Sequence, residues 1–219
     1  MKLSQYTLEV MKSFANINPG IVLQPGTKQR TMSPEKSVLV EVELDDSFSH
    51  KFGIYDLVQF LGNITTLNNP ELEFNDKYVM MKDDTFQMYY LSCSPEIIIS
   101  PPDKNLTMDN PDVSFVLTNA VLSKSLRLAS MNALPNLSII GKNGELNLQI
   151  HDKANDTSNY LDSKISEYSG TDFTATFKID NFLRKLMPDD YDVDIKHGKF
   201  SRLKSKTKNV TYFIALETK

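Results

Sequence analysis

One order of elements occurs twice along these 219 residues: a long amphipathic helix, strands, a short helix, strands. In the first half Ser4 is placed to cap a helix over Gln5–Ala15. At 100° per residue, Leu3, Tyr6, Val10, Met11 and Phe14 fall on one arc. Gln5, Glu9, Lys12, Ser13 and Asn16 fall on the other, and Asn18-Pro19-Gly20 stops the helix. Ile21–Gln24 reads as a strand closed by Pro25-Gly26, and Val38–Leu44 alternates as a strand with one apolar face. A short helix is expected over Tyr55–Leu61, with Gly62 as its stop. Lys77–Lys82 and Thr85–Leu91 read as a hairpin around Asp83-Asp84. Ile97-Ile98-Ile99 reads as a strand running into Pro101-Pro102; with Pro111, these prolines bar helix and central strand. The domain boundary is therefore set between residues 104 and 105, giving domains 1–104 and 105–219.

The second half repeats the order. A helix over Thr118–Ala133 has Leu122, Leu126, Ala129 and Ala133 as its core stripe, with Ala120, Lys124, Arg127 and Met131 opposite. Leu137–Ile150 is a hairpin with Lys142-Asn143-Gly144 at its tip. Tyr160–Ser169 and Asp172–Ile179 are strands. A short helix over Asp180–Met187, with Phe182, Leu183, Leu186 and Met187 inward, ends at Pro188. Strands over Tyr191–Lys196, Phe200–Lys206 and Asn209–Glu217 follow. The repeat lies in element order, not residue identity, so the pattern alone leaves two unrelated α+β domains open.

Composition narrows the classes. Hydrophobic residues make up 40% and charged residues 24%, ordinary for a chain that can bury its own core. No apolar run reaches the roughly 18 residues of a membrane helix, and Met1–Gln5 opens no signal-peptide stretch, so no membrane role is expected. A single cysteine, Cys93, excludes an internal disulfide and paired-cysteine zinc sites and suits a reducing compartment. The net charge of −4 does not advertise nucleic-acid binding. Its distribution is uneven: residues 1–110 carry 9 Lys+Arg against 15 Asp+Glu, and residues 111–219 carry 15 against 13.

Catalytic constellations are scarce. No phosphate-cradling glycine loop and no nucleophile elbow is present. His50, His151 and His197 stand singly, without metal-ligand spacing. Cys93 reads as a small buried residue before it reads as a nucleophile. Asp192 and Asp194, with Asp189-Asp190, could hold Mg²⁺ or form a solvated edge. No catalytic residue, metal or cofactor is therefore expected, and the chain is not read as an enzyme. The placement of cations says more. Lys12, Lys124, Arg127, Arg184 and Lys185 fall on the outward faces of helices in both halves, where they could neutralise phosphates without reading bases. Lys199, Arg202, Lys204, Lys206 and Lys208 form a second basic stretch, read as an exposed hairpin in preference to a nucleic-acid contact.

Met1-Lys2-Leu3-Ser4 with Phe14-Ala15-x-Ile17-Asn18-x-Gly20-Ile21-x-Leu23 resembles the start of the sliding clamps of large tailed phages, the DNA polymerase processivity factors. Ile54-Tyr55-Asp56-Leu57-x-x-Phe60-Leu61-Gly62 is similar to their first short helix. Met187-Pro188, Tyr191 and Asn209-Val210-x-Tyr212-x-Ile214-Ala215-Leu216-Glu217 are similar to their final strands. Residues 65–175 match by pattern only. The resemblance implies an α+β, two-domain DNA-clamp fold, each domain with antiparallel sheets outside and two helices facing a central channel. It implies a homotrimeric ring around double-stranded DNA, holding the DNA polymerase for processive synthesis. A separate ATP-dependent clamp loader would open the ring, in the cytoplasm of the infected bacterial host. It implies partner docking near the linker and the C-terminal domain, with Ile98, Pro101, Phe213 and Leu216 as candidates. A role as transcription coactivator would accord with the same family. The alternative outside this class is a non-enzymatic phage structural or assembly protein; a hydrolase built on Cys93 or Asp189–Asp194 is a third reading.

Overall fold

The computed structural model describes residues 1–104, 106–182 and 185–217. The chain divides into two compact units, Met1–Lys104 and Asn105–Lys219. Among the described residues no helix is long and apolar enough to cross a membrane.

Unit 1 opens with α1 (Gln5–Ala15), whose cap is Ser4: the Thr7 amide donates to Ser4 Oγ at 3.1 Å. Val10, Met11 and Phe14 are buried, and so is Thr7, a polar residue the apolar arc does not include. Its Oγ1 accepts from Ser4 Oγ at 3.1 Å, so the cap also satisfies the hydroxyl inside the core. Strand β1 (Ile21–Leu23) pairs antiparallel with β4 (Phe52–Ile54), and β2 (Gly26–Met32) with β3 (Val38–Phe48). Helix α2 (Leu57–Thr66) is capped by Asp56, which accepts from the Gln59 amide at 2.8 Å. It runs through Gly62 rather than stopping there, and its buried stripe continues to Ile64. The unit closes with the antiparallel sheet β5 (Glu71–Phe74), β6 (Tyr78–Lys82), β7 (Gln87–Leu91). Phe74 meets Phe48 and Phe52 edge-on in the core, with centroids at 5.3 and 5.6 Å. Beyond β7, the expected Ile97–Ile99 strand is instead a 3-10 turn, Pro95–Ile97, followed by irregular chain. Pro95 at the first helical position starts the turn, and among the described residues no strand pairs with the segment.

In unit 2, β8 (Val113–Leu117) leads into α3 (Asn119–Asn132), capped by Thr118. Ala133, expected in the core stripe, is the exposed C-cap in the left-handed region (φ 52°), and Ser125 is buried in the stripe instead. Strands β9 (Asn136–Lys142) and β10 (Glu145–His151) join through Asn143 and Gly144, both at positive φ (53° and 82°), the two-residue turn that such a pair favours. With β11 (Leu161–Glu167) and β12 (Phe173–Lys178) they form a sheet in the order β11-β10-β9-β12. The last strands β13 (Tyr191–Lys196), β14 (Phe200–Ser205) and β15 (Val210–Ala215) run antiparallel beside β8 in the order β8-β13-β14-β15. The helix expected over Asp180–Met187 is a 3-10 turn, Ile179–Asn181, as far as the described residues go; Leu183 and Arg184 lie outside them.

The sheets β5-β6-β7 and β11-β10-β9-β12 each have one outer strand with a further backbone partner in its own unit. Leu72 of β5 exchanges backbone hydrogen bonds with Met1, 2.7 Å from its amide to Met1 O and 2.6 Å from the terminal ammonium to its carbonyl. Thr176 of β12 accepts from the Glu217 amide at 2.8 Å. The opposite outer strands, β7 and β11, have no further neighbour in their sheets among the described residues.

Candidate nucleic-acid interface

The three helices carry very little of the acidity of this chain. Their 11, 10 and 14 residues hold three cations, Lys12, Lys124 and Arg127, and one acid, Glu9. Glu9 is engaged by Gln5, whose Nε2 donates at 3.0 Å. The other carboxylates lie on strands, turns and caps. Packing explains why cations can stand outward: α3 buries Leu122, Ser125 and Ala129, which turns Ala120, Ser123, Lys124, Arg127 and Ser130 to solvent. Lys12 is exposed in the last turn of α1, where a cation also complements the helix dipole. Helix α2 contributes no charge; its exposed face is Val58, Gln59, Gly62, Thr65 and Thr66. Lys185 is half-buried, and Arg184 lies outside the described residues.

Two cations of the second basic stretch, Arg202 and Lys206, are matched by carboxylates, and Lys208 Nζ donates to Pro188 O at 3.0 Å. Register places Asp192 opposite Lys204 and Asp194 opposite Arg202. Arg202 NH2 lies 2.6 Å from Asp194 Oδ2, and Lys206 Nζ lies 2.9 Å from Asp192 Oδ1. Asp189 is used locally: it accepts from the Ser205 hydroxyl and from the Thr207 amide and hydroxyl at 3.0 and 2.8 Å. The aspartates singled out as Mg²⁺ candidates are thus partners of one lysine, one arginine, hydroxyls and backbone amides, Asp190 accepting from the Asn119 amide at 2.7 Å. Among the described residues no group of three or more His, Cys, Asp or Glu side chains is placed to hold a metal ion.

The remaining candidates are also accounted for. Burial pushes the Cys93 thiol pKa up, away from the thiolate a nucleophile needs. His151 Nε2 lies 2.8 Å from Ser138 Oγ, and His197 packs 4.7 Å from the Phe173 ring. Of the partner-docking candidates, Ile98 (9% exposed) and Phe213 (5%) are buried in their own units, while Pro101 and Leu216 are half-buried. Ile97 and Ile99, flanking Ile98, are exposed at 60% and 41%. Alternation within the tripeptide turns one side chain in and two out, which residue type alone does not reveal.

The DNA polymerase processivity factor family matches residues 2–91. A sliding clamp of Vibrio phage KVP40 is 28% identical over 227 residues, covering 99% of both chains, and that of Enterobacteria phage T4 is 26% identical, covering 99% of this chain and 97% of its own. The chain is similar to the phage sliding clamps from end to end. The clamp fold extends to solved structures of low identity. Archaeoglobus (A. fulgidus) PCNA bound to the C-terminal region of FEN-1 superposes with a TM-score of 0.70 at 13% identity, covering 97% of this chain and 95% of that one. The proliferating cellular nuclear antigen of Entamoeba histolytica gives 0.69 at 16%, with the same coverage. The architecture is thus the two-domain α+β clamp fold, built of antiparallel sheets with few helices.

Proposed function

We propose that this protein is a ring-forming sliding clamp of phage DNA replication. Three copies close head to tail around duplex DNA, and the helices line the hole. The observation that carries this reading is the partition of charge: outward helix faces bear Lys12, Lys124 and Arg127 with a single acid, in a chain whose net charge is −4. Cations on rigid helices neutralise phosphates without sequence preference, so the ring slides. Lys185 and Arg184 are proposed to add to the same lining. Encirclement prevents sideways escape, and a tethered polymerase is held at high effective concentration near the primer end. No chemical step is required of the clamp, and a separate ATP-dependent loader would open it in the cytoplasm of the infected bacterium.

The sheet edges support closure. A head-to-tail ring needs one unsatisfied surface on each side of the subunit, and the two are different. Strand β7 offers an uncovered edge with exposed Tyr89 and Leu91. Strand β11 offers another, beside a groove of about 370 Å³ lined by α3, β10 and β11 residues including Val121, Leu128, Leu148 and Leu161. The polymerase and loader are proposed to dock on the exposed isoleucines of the segment ending unit 1 and on Pro101 and Leu216.

Solution mass and primer extension test the reading together. A clamp gives about 75 kDa, three times the chain mass of 24.9 kDa, and lengthens polymerase products only with loader and ATP present. A large shell-like assembly without effect on product length would instead favour a structural or assembly protein.

A further inference from the structure

Unit 1 ends in a segment fastened at three points. Ile98 is buried against Gly20, where an added Cβ would stand 3.4 Å from Ile98 Cγ1. Asn18, itself buried, donates through Nδ2 to Ile99 O and to Met32 O, both at 2.8 Å. Arg30 makes the third attachment. It sits on β2 directly opposite Glu41 of β3, with Nε 2.9 Å from Glu41 Oε1. Its NH1 donates to Pro102 O at 2.9 Å and its NH2 to Lys104 O at 3.4 Å. Pro101 and Pro102 have no amide to donate, so this stretch offers carbonyls for fastening. A guanidinium suits the task because its two terminal nitrogens reach separate carbonyls while Nε lies beside the carboxylate as an ion pair without hydrogen-bond alignment; a lysine ammonium lacks that spread. Both side chains of the Arg30–Glu41 pair are only 16% exposed, and the carboxylate's other cation, Lys28, stands farther off at 3.9 Å, so Arg30 is its nearer partner.

We infer that Arg30 is a positioning residue for polymerase docking: it holds the Pro102–Lys104 backbone so that Ile97 and Ile99 are presented in one arrangement. This rests on the docking reading given above. A segment already ordered loses less conformational freedom when a partner binds, and affinity gains by that difference.

Lys104 supplies the assay, because trypsin cuts after it and Arg30 holds its carbonyl. Arg30→Gln should accelerate cleavage after Lys104 about tenfold relative to cleavage after Lys51 in the same molecule. It should weaken binding of the purified DNA polymerase about fivefold. Arg30→Ala/Glu41→Ala also removes the carboxylate that Arg30→Ala leaves with only the more distant Lys28, so its thermal stability should recover above that of Arg30→Ala while fast cleavage and weak binding persist. A ratio of cleavage after Lys104 to cleavage after Lys51 unchanged from that of the unaltered protein, or unchanged polymerase affinity despite faster cleavage, overturns the positioning role. Ile97→Asp/Ile99→Asp separates the two readings. If it binds polymerase normally, docking on this segment is overturned and the positioning role falls with it. If it loses polymerase while Arg30→Gln keeps it, only the positioning role falls.

Discussion

Arg202 of β14 and Asp194 of β13 face each other across the ladder and form an ion pair, with NH2 2.6 Å from Oδ2 and Nε 3.1 Å from the same oxygen. Asp194 also accepts from Ser114 Oγ at 2.6 Å, tying β8 to the pair. Arg202 therefore serves the sheet. Arg202→Ala is expected to lower stability by about 1 kcal/mol or less, the scale of a half-exposed pair. Its loading on DNA should match that of the unaltered protein; a loss of loading with salt-dependent character would place DNA on this sheet.

The helix cations behave differently. Lys124→Ala/Arg127→Ala should reduce loading onto nicked circular DNA, with a shallower salt dependence between roughly 50 and 200 mM, each lost phosphate contact removing about 0.9 from the log–log slope. Folding should be unaffected, because both side chains are exposed. Unchanged loading at every salt concentration would exclude them as contacts.

Asp189 gives an acid-dependent prediction. Partial burial alone would raise its pKa, but hydrogen bonds from Ser205, Thr207 and the Asp190 amide outweigh burial and hold it at about 2. A carboxyl depressed in the folded state contributes stability that is complete above its ordinary pKa of 3.8 and fades as pH falls toward about 2. Asp189→Asn should therefore melt below the unaltered protein at pH 6, with the gap closing as both are acidified toward pH 2. A gap independent of pH would contradict this.

Two glycines of unit 1 should respond with opposite signs. A Cβ on Gly53 would stand 2.4 Å from the Cys93 backbone oxygen, so Gly53→Ala forces backbone apart and should cost about 1–3 kcal/mol. A Cβ on Gly62 meets nothing within 4 Å inside α2, so Gly62→Ala should stabilise by about 0.5–1 kcal/mol. Denaturant midpoints of the two variants check both signs.

The sequence exposed those parts of the fold whose burial is apolar and periodic. The α1 arc, the Val38–Leu44 alternation and the Asn143-Gly144 turn each depend on local chemistry that a reader can see. Strand β2 was invisible because two of its inward residues are polar: Gln29 and Thr31 are buried, and Gln29 is satisfied by the Gln24 backbone, 2.8 Å in each direction. Such a strand alternates in burial without alternating in hydropathy. Gly62 looked like a helix stop because a glycine often ends one, yet Ile64 still has core to fill, and tertiary packing overrides the local preference. Of the candidate site, the helix cations were legible from periodicity. The Arg30 attachment was not, since its partners Pro102 and Lys104 lie 72 and 74 residues away and are backbone carbonyls. Nor could spacing show that Asp194 and Arg202 neutralise one another, which requires the register of two strands.

The near-absence of acids from the helices, where Glu9 stands alone among the described residues, has a kinetic meaning for the proposed clamp. If the helices face DNA as proposed, a polyanion would draw in the helix faces of each unit and repel the strand-borne carboxylates, so diffusion itself would bias the angle of arrival. On that reading a chain with net negative charge would gain orientation from repulsion as well as attraction, and raising ionic strength should randomise the encounter before it abolishes it.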